Sequence, residues 1–166
     1  MKTLIIAMLV FFAACANAEK STRTTSARFK IDGGTVIDEQ TGLRWQRCSV
    51  GQTFLPNNTC RGLAKKFNFV QAQRQTNYSF RAGGFWRVPT KNEIATLVDM
   101  SMGNLKIDTF LFPDVSNTNR FFWTCDMYAD GAAWYADFSN GEVAYLSGDH
   151  ASASDFLAVR LVHVEW

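Results

Sequence analysis

The chain has 166 residues, of which 47% are hydrophobic, 14% aromatic and 19% charged. With only three prolines and no low-complexity run, it is not an intrinsically disordered, collagen-like or fibrous protein, and its length predicts one domain. The net charge of +2 argues against a nucleic-acid partner, because such proteins usually carry a strongly basic face. Many aromatic and few charged residues predict a densely packed domain containing β-structure, which also presents rings to a ligand.

The N-terminus has the pattern of a secretory signal peptide. Lys2 is followed by an apolar run from Leu4 to Ala14 and by the small-x-small site at residues 16–18. This pattern predicts a signal peptide over residues 1–18, too short to span a membrane, and a periplasmic or secreted protein. Residues 12–15 also resemble a degenerate lipobox, so a lipoprotein anchored at Cys15 is the alternative. No later segment is long enough for a transmembrane helix.

Three cysteines follow the predicted signal peptide. Cys48 and Cys60 bracket a polar loop, and in an exported protein they are the natural disulfide pair. Cys125 is then left over. It is either a buried thiol within an aromatic segment, a partner in an intermolecular disulfide or a reactive thiol.

The first half of the mature chain predicts a flexible leader and a hairpin. Residues 19–27 are polar and rich in Ser and Thr, and a single domain is expected over residues 28–166. An extended segment begins at Phe29. Strands over 35–38 and 43–47 flank a turn, which indicates a hairpin.

Two helices are predicted next. Over residues 61–76, Leu63, Phe67 and Val70 recur at steps of four and three, which is typical of a helical apolar stripe. The second helix is predicted over residues 91–102, preceded by a capping box formed by Thr90 and Glu93.

The chain then returns to β-structure. An aromatic strand is predicted over 121–126, and the Asn-Gly pair at 140–141 predicts a hairpin between strands 132–138 and 142–146. A loop over 147–155 precedes an apolar strand over 156–166, which is expected to be central in its sheet. Strands, two helices and further strands together predict an α+β domain.

Candidate ligand-binding residues gather near the second hairpin and the following loop. No catalytic sequence motif is present. Aromatic rings beside carboxylates suit sugar binding, since rings stack on apolar sugar faces while carboxylates accept hydrogen bonds from sugar hydroxyls. The same carboxylates could bind Ca²⁺, but their spacing does not match a calcium-binding loop. Asp149-His150 could act in metal binding or acid–base chemistry. The candidate set is Asp126, Tyr128, Asp130, Trp134, Tyr135, Asp149 and His150.

Distinctive residue combinations recur in order along most of the mature chain. They are Asp32-Gly33-Gly34-Thr35-Val36, Thr41-Gly42-Leu43-Arg44-Trp45-Gln46-Arg47-Cys48, Cys60-Arg61-Gly62, Gly84-Phe85-Trp86-Arg87-Val88-Pro89-Thr90, Phe112-Pro113, Phe122-Trp123, Ala133-Trp134 and Val159-Arg160-Leu161-Val162. Together they resemble the bacterial family named for the C-terminal domain of the Legionella collagen-like adhesin.

The resemblance implies a variant of the C-type-lectin-like fold, with antiparallel sheets and two helices. It also implies an adhesion module, since the namesake domain recognises sulfated glycans and forms trimers, so an oligomer is one alternative for this chain. The Glu-Pro-Asn-type calcium motif of animal C-type lectins is absent from the sequence. We therefore expect no metal and no other cofactor.

Two classes of function follow. The first is an exported, non-catalytic module that binds a glycan or protein at the bacterial envelope. The second is a periplasmic immunity or inhibitor protein that neutralises a secreted effector such as a cell-wall hydrolase; loops of this fold tolerate variation. An uncharacterised hydrolase or oxidase, with chemistry at Asp149-His150, is the third alternative.

Overall fold

The computed structural model describes residues 27–75, 85–128, 131–146 and 156–164. The predicted signal peptide and nearly all of the predicted leader lie outside these residues. The elements, in chain order, are β1 Phe29–Asp32, β2 Thr35–Asp38, β3 Leu43–Gln46, β4 Thr53–Leu55, β5 Thr59–Arg61, β6 Lys66–Phe67, α1 Phe69–Gln73, α2 Lys91–Ala95, β7 Phe121–Met127, β8 Ala133–Asp137, β9 Glu142–Leu146, β10 Leu157–Ala158 and β11 Val162–Val164.

These strands form three sheets. A four-stranded antiparallel sheet has the order β1-β2-β3-β11, and a two-stranded sheet pairs β4 with β5. The five-stranded sheet has the order β6-β10-β7-β8-β9 and is antiparallel except where β10 runs parallel to β7. Mostly antiparallel sheets with two short helices confirm the predicted α+β class.

The hairpin between β2 and β3 forms where it was predicted, and Asp38 holds its turn. The buried Asp38 carboxylate accepts hydrogen bonds from the Arg28 guanidinium at 2.8 Å, the Thr41 hydroxyl at 2.8 Å and the Gln40 N–H at 3.1 Å. Gly42 closes the turn with a φ of +70°, which a side chain would disfavour. Burial alone would raise the pKa of Asp38, but these hydrogen bonds and the Arg28 charge hold it below its ordinary value.

The first predicted helix, over 61–76, is wrong in its extent. Helix α1 covers only Phe69–Gln73 and begins at a capping box: the Asn68 side chain accepts from the Gln71 N–H, and the Gln71 side chain accepts from the Asn68 N–H. Upstream, the Cys48–Cys60 disulfide and the pairing of β5 with β4 keep residues 59–61 extended. The spacing of apolar residues in the sequence gives no sign of the disulfide or of this strand pairing.

The prediction that an apolar stripe of this helix packs against the core is also wrong. Leu63 is 88% exposed and Val70 is 51% exposed, whereas Phe69 is buried. Phe69 packs edge-on against Trp123, with 5.6 Å between the ring centroids.

The second predicted helix starts where expected. The Thr90 hydroxyl accepts from the Glu93 N–H at 3.2 Å, and the Glu93 carboxylate accepts from the Thr90 N–H at 2.7 Å. Arg87 donates to both oxygens of the same carboxylate, at 2.7 and 2.5 Å. Burial alone would raise the pKa of Glu93, but the hydrogen bonds from Arg87 and Thr90 and the Arg87 charge lower it.

Helix α2 nevertheless ends at Ala95 rather than at Met102, so the predicted length is wrong. The N–H and hydroxyl of Thr96 both donate to the Glu93 carbonyl, three residues back. The next N–H groups continue this tighter pattern, and the Asp99 N–H then donates to the distant Lys106 carbonyl. Bonds to the third preceding carbonyl are typical of a final turn.

The predicted central strand over 156–166 is instead divided between two sheets. β10 lies between β6 and β7, whereas β11 is the outer strand of the four-stranded sheet. Between them, Arg160 is buried, with its guanidinium 4.7 Å from the Phe112 ring centroid and 5.1 Å from that of Phe122. It donates to the Asp114 carboxylate and, at 2.6 Å, to the Gln46 carbonyl. The charged residue that interrupts the apolar run is thus the point where the chain changes sheets.

The five-stranded sheet separates two apolar cores. One lies between its α2 face and the four-stranded sheet, and the other is packed against α1. The buried residues of the first core include Val36, Trp45, Ile94, Phe112, Phe122, Ala136, Phe138 and Val162. Those of the second include Phe69, Ala72, Trp86, Val88, Trp123, Ala133, Val159 and Leu161.

The predicted disulfide is present between Cys48 and Cys60, with 5.7 Å between their Cα atoms. It closes a loop that contains β4 and most of β5. Cys125 is free and partly buried beside the second core. Burial, followed by the nearby Asp126 charge, raises the pKa of the Cys125 thiol, which favours the prediction of an inert thiol over a reactive one.

Candidate ligand-binding site

Three aromatic side chains meet at the β9 end of the five-stranded sheet. Tyr128 follows β7, Trp134 lies on β8 and Tyr145 lies on β9. Tyr128 and Tyr145 are stacked, with ring centroids 4.4 Å apart and planes 13° from parallel. Trp134 meets both edge-on, at 5.9 Å from Tyr128 and 5.3 Å from Tyr145. We call Tyr128, Trp134 and Tyr145 the aromatic cluster.

The hairpin register brings the cluster together. Trp134 pairs directly with Tyr145 across β8 and β9, so both rings lie on the same sheet face. Asp137 holds the turn, because its carboxylate accepts from the Ser139 N–H at 2.8 Å and the Ser139 hydroxyl at 2.7 Å. Gly141 then adopts a φ of +81°.

The third ring, Tyr128, reaches this face by ordinary strand alternation. The pairing of β7 with β8 shifts between Trp123 and Met127, where the regular ladder is interrupted. Side chains still alternate across this irregularity, because the Asp126 carboxylate contacts the N-terminus of α2 on the same face. After it, the Tyr128 N–H donates to the Ala132 carbonyl at 2.6 Å, which holds Tyr128 at the mouth of the hairpin.

The N-terminus of α2 borders the cluster. The Lys91 ammonium lies 4.1 Å from the Trp134 ring centroid, a cation–π contact worth about 0.5–1 kcal/mol at an exposed site. The Asp126 carboxylate accepts from the Lys91 backbone N–H, one of the groups that a helix start leaves without an intrahelical partner. One face of the Trp134 ring is therefore covered, and Asp126 has a structural role.

The solvent-exposed part of the site is formed mainly by the two tyrosines. Tyr128 is 47% exposed and Tyr145 is 45% exposed. Each ring of the stack covers one face of the other, which holds both rings in place while about half of each side chain stays exposed. Such a surface can stack on an apolar ligand face and offer two phenolic hydroxyls at its rim.

The structure brings together part of the predicted set. Tyr128 packs against Trp134, and both Trp134 and the Asp126 carboxylate contact Lys91 at the N-terminus of α2. Tyr135 does not join them: it points to the opposite sheet face, where it meets Phe121 with 6.0 Å between ring centroids and packs against the second core. Asp130, Asp149 and His150 lie outside the described residues. The ligand-binding role of these residues stays a prediction.

Two residues of the site were not in the predicted set: Tyr145 and Lys91. The signal for Tyr145 was present, because a four-residue connection over 138–141 places position 145 opposite position 134. Lys91 could not be found this way, since its contact with Trp134 depends on how α2 packs on the sheet.

Among the described residues, no cluster of three or more His, Cys, Asp or Glu side chains could hold a metal ion. In the same part of the chain, no helix is long and apolar enough to cross a membrane.

The profile of the family described as the Lcl C-terminal domain matches residues 34–163, more than three quarters of the chain. The chain belongs to the Lcl C-terminal domain family. Neither a curated protein nor a solved structure matches significantly. The C-type-lectin-like variant of the fold therefore stays a prediction.

Family membership sets the broad class of function. An Lcl C-terminal domain is a non-enzymatic, adhesin-type binding domain, which agrees with the prediction of a binding module rather than an enzyme. A domain of this class implies an external ligand and a surface or secreted location.

Proposed function

We propose that this protein is an exported, non-catalytic module that binds a glycan at the bacterial envelope through the aromatic cluster. The observation that carries the proposal is the stacked, half-exposed pair of Tyr128 and Tyr145 next to Trp134. Export is supported by the pattern of residues 1–18 and by the Cys48–Cys60 disulfide, because disulfides persist in oxidising compartments.

The chemistry of the cluster suits a sugar ring. An exposed ring face packs against the C–H face of a pyranose, while the phenolic hydroxyls can exchange hydrogen bonds with sugar hydroxyls. The Lys91 ammonium beside Trp134 disfavours cationic sugars. The Asp126 carboxylate, already accepting from the Lys91 N–H, would contact the ligand only at the edge of the site. We expect binding without calcium.

A glycan array probed with the processed protein tests the proposal, run once with calcium and once with EDTA. We expect binding to a defined set of envelope or host glycans under both conditions. Tyr145→Ala and Tyr128→Ala should each weaken binding to the best glycan by about tenfold, because truncating a side chain that matters for binding costs more than about 1 kcal/mol.

Phe156→Ala is the matched control, because Phe156 is also a half-exposed ring and lies outside the cluster. It should bind as the unmodified protein does. Absence of binding to any glycan, or equal losses in Phe156→Ala and Tyr145→Ala, would contradict the proposal.

An immunity or inhibitor role is the second candidate, and the position of β9 favours it. β9 is one of the two outer strands of its sheet, and within the described residues no strand pairs with its other side. An open edge can accept a strand from a partner protein. Co-purification of a hydrolase or toxin from the producing strain would support this role, and its loss in Tyr145→Ala would place the contact at β9. Failure to recover any effector would count against it.

A further inference from the structure

The acidic residues are unevenly distributed along the sequence. No Asp or Glu occurs between Glu39 and Glu93, although this interval contains nine Lys and Arg residues. Four of these basic residues, Arg61, Lys65, Lys66 and Arg74, lie within fourteen positions around β5, β6 and α1, and all four are exposed.

Three of these cations line one groove. Lys65, Lys66 and Arg74 surround an open concavity of about 340 Å³ together with Gln71 and Gln75. The backbone holds the lysines in place, because the Lys65 N–H donates to the Val50 carbonyl at 2.9 Å. We call the concavity between Lys65, Lys66 and Arg74 the basic groove.

An exposed leucine adjoins this groove. Lys66 also lines a neighbouring depression of about 330 Å³, and Leu63 lies on its rim. Leu63 is 88% exposed, more than any other large apolar side chain in the described part of the chain. The acidic group of this depression, Asp114, is buried and paired with Arg160, so it does not oppose an anionic ligand.

We propose that the basic groove and Leu63 form a peripheral attachment site for an anionic phospholipid surface. Lysine and arginine side chains bind lipid phosphates, while a protruding leucine inserts among the headgroups and acyl chains. A soluble polyanion would satisfy the cations but would leave Leu63 in water. The combination of clustered cations and a bare leucine therefore selects a bilayer.

The position of this site in the fold supports the same partner. The basic groove lies at the β6 end of the five-stranded sheet and the aromatic cluster lies at the β9 end. Four strand intervals separate these ends, which is about 19 Å. A domain attached to a membrane by the groove would keep the cluster free for its ligand. The lipid site does not depend on the ligand of the cluster.

Vesicle co-flotation tests this proposal, using processed protein whose mass shows no acyl chain. The vesicles contain either 30% phosphatidylglycerol in phosphatidylcholine or phosphatidylcholine alone. We expect binding to the anionic vesicles at low salt, little binding to the neutral ones, and release by 0.5 M NaCl. Each cation removed should weaken binding about fivefold, so Lys65→Gln/Arg74→Gln should weaken it about thirtyfold.

Leu63→Ala should weaken vesicle binding about tenfold by removing the inserted side chain. The matched controls are Lys30→Gln, at an exposed lysine on the four-stranded sheet, and Met100→Ala, at an exposed apolar side chain outside the groove. Vesicle binding by both variants should stay within twofold of that of the unmodified protein. All these positions are exposed, so folding is preserved.

Three results would overturn the proposal: no binding to anionic vesicles, equal binding to both kinds of vesicle, or binding unaffected by Leu63→Ala. Dextran sulfate is the parallel probe. If it binds through Lys65 and Arg74 while the vesicles do not bind, the groove accepts soluble polyanions and the lipid site is wrong.

Discussion

The ion pair between Asp114 and Arg160 makes Asp114→Asn a severe change despite its small size. Both side chains are fully buried. One Asp114 oxygen accepts from the Arg160 guanidinium, and the other accepts from the Ser49 N–H at 3.0 Å and the Asn119 amide at 3.2 Å. Every one of these partners is a donor.

An asparagine at this position cannot satisfy them. Its NH₂ group must face either Arg160 or the donors of Ser49 and Asn119, and in both orientations two donors oppose each other. The Arg160 charge would also remain buried between two aromatic rings without a counter-ion. Breaking a buried ion pair in this way costs about 3–5 kcal/mol, which corresponds to a fall in Tm of roughly 6–20 °C in a domain of this size.

Urea denaturation followed by tryptophan fluorescence measures the loss, since Trp45 and Trp123 are fully buried. Asp32→Asn is the matched control: Asp32 pairs with Arg44 at 2.6 Å but its side chain is 62% exposed, so the same substitution should cost less than about 1 kcal/mol. Equal, small losses in the two variants would refute the assignment of Asp114 and Arg160 as a buried pair that stabilises the fold.

Three further predictions concern stability and reactivity. Glu93→Gln retains the capping box but removes the charge that faces Arg87. Because folding lowers the pKa of Glu93, the stabilisation from this charge is present above about pH 4.3 and is lost as the pH falls through the lower folded value. In urea titrations, the variant should therefore lose about 1 kcal/mol of unfolding free energy near pH 7 and much less near pH 3. Replacing Cys48 and Cys60 by alanine should lower the free energy of unfolding by about 3 kcal/mol, and a Tm that stays the same when the disulfide is reduced would contradict this. Cys125 should react with thiol reagents at pH 8 more slowly than a small-molecule thiol and become reactive in urea; rapid labelling of the folded protein would show an accessible thiolate.

Elements held by local chemistry could be predicted from sequence. The turn of β2–β3, the Asn-Gly turn of β8–β9 and the capping box at Thr90 and Glu93 all depend on neighbouring residues, and each lies where expected. The predictions that were wrong concern elements whose form depends on contacts between residues distant in the sequence. Helix α1 is short because a disulfide and strand pairing hold the residues before it, and the last strand divides because Arg160 finds its counter-ion on Asp114.

The same distinction applies to the site. Aromatic richness near the second hairpin was visible in the sequence, and hairpin register places Trp134 and Tyr145 side by side. Tyr135 illustrates the limit: it neighbours Trp134 in sequence, yet strand alternation turns it to the other face of the sheet. The sequence alone could not show which of these two neighbouring rings belongs to the site, because that depends on how α2 packs on the sheet and brings Lys91 against Trp134.

The most direct test of the proposed function is to map the glycan contact by NMR. A ¹⁵N-labelled sample is titrated with the best glycan from the array, and backbone amide shifts are followed. The largest shifts are predicted at Tyr128, Trp134 and Tyr145 and at the adjoining N-terminus of α2. Shifts confined to the four-stranded sheet or to the basic groove would contradict the assignment of the aromatic cluster as the binding site.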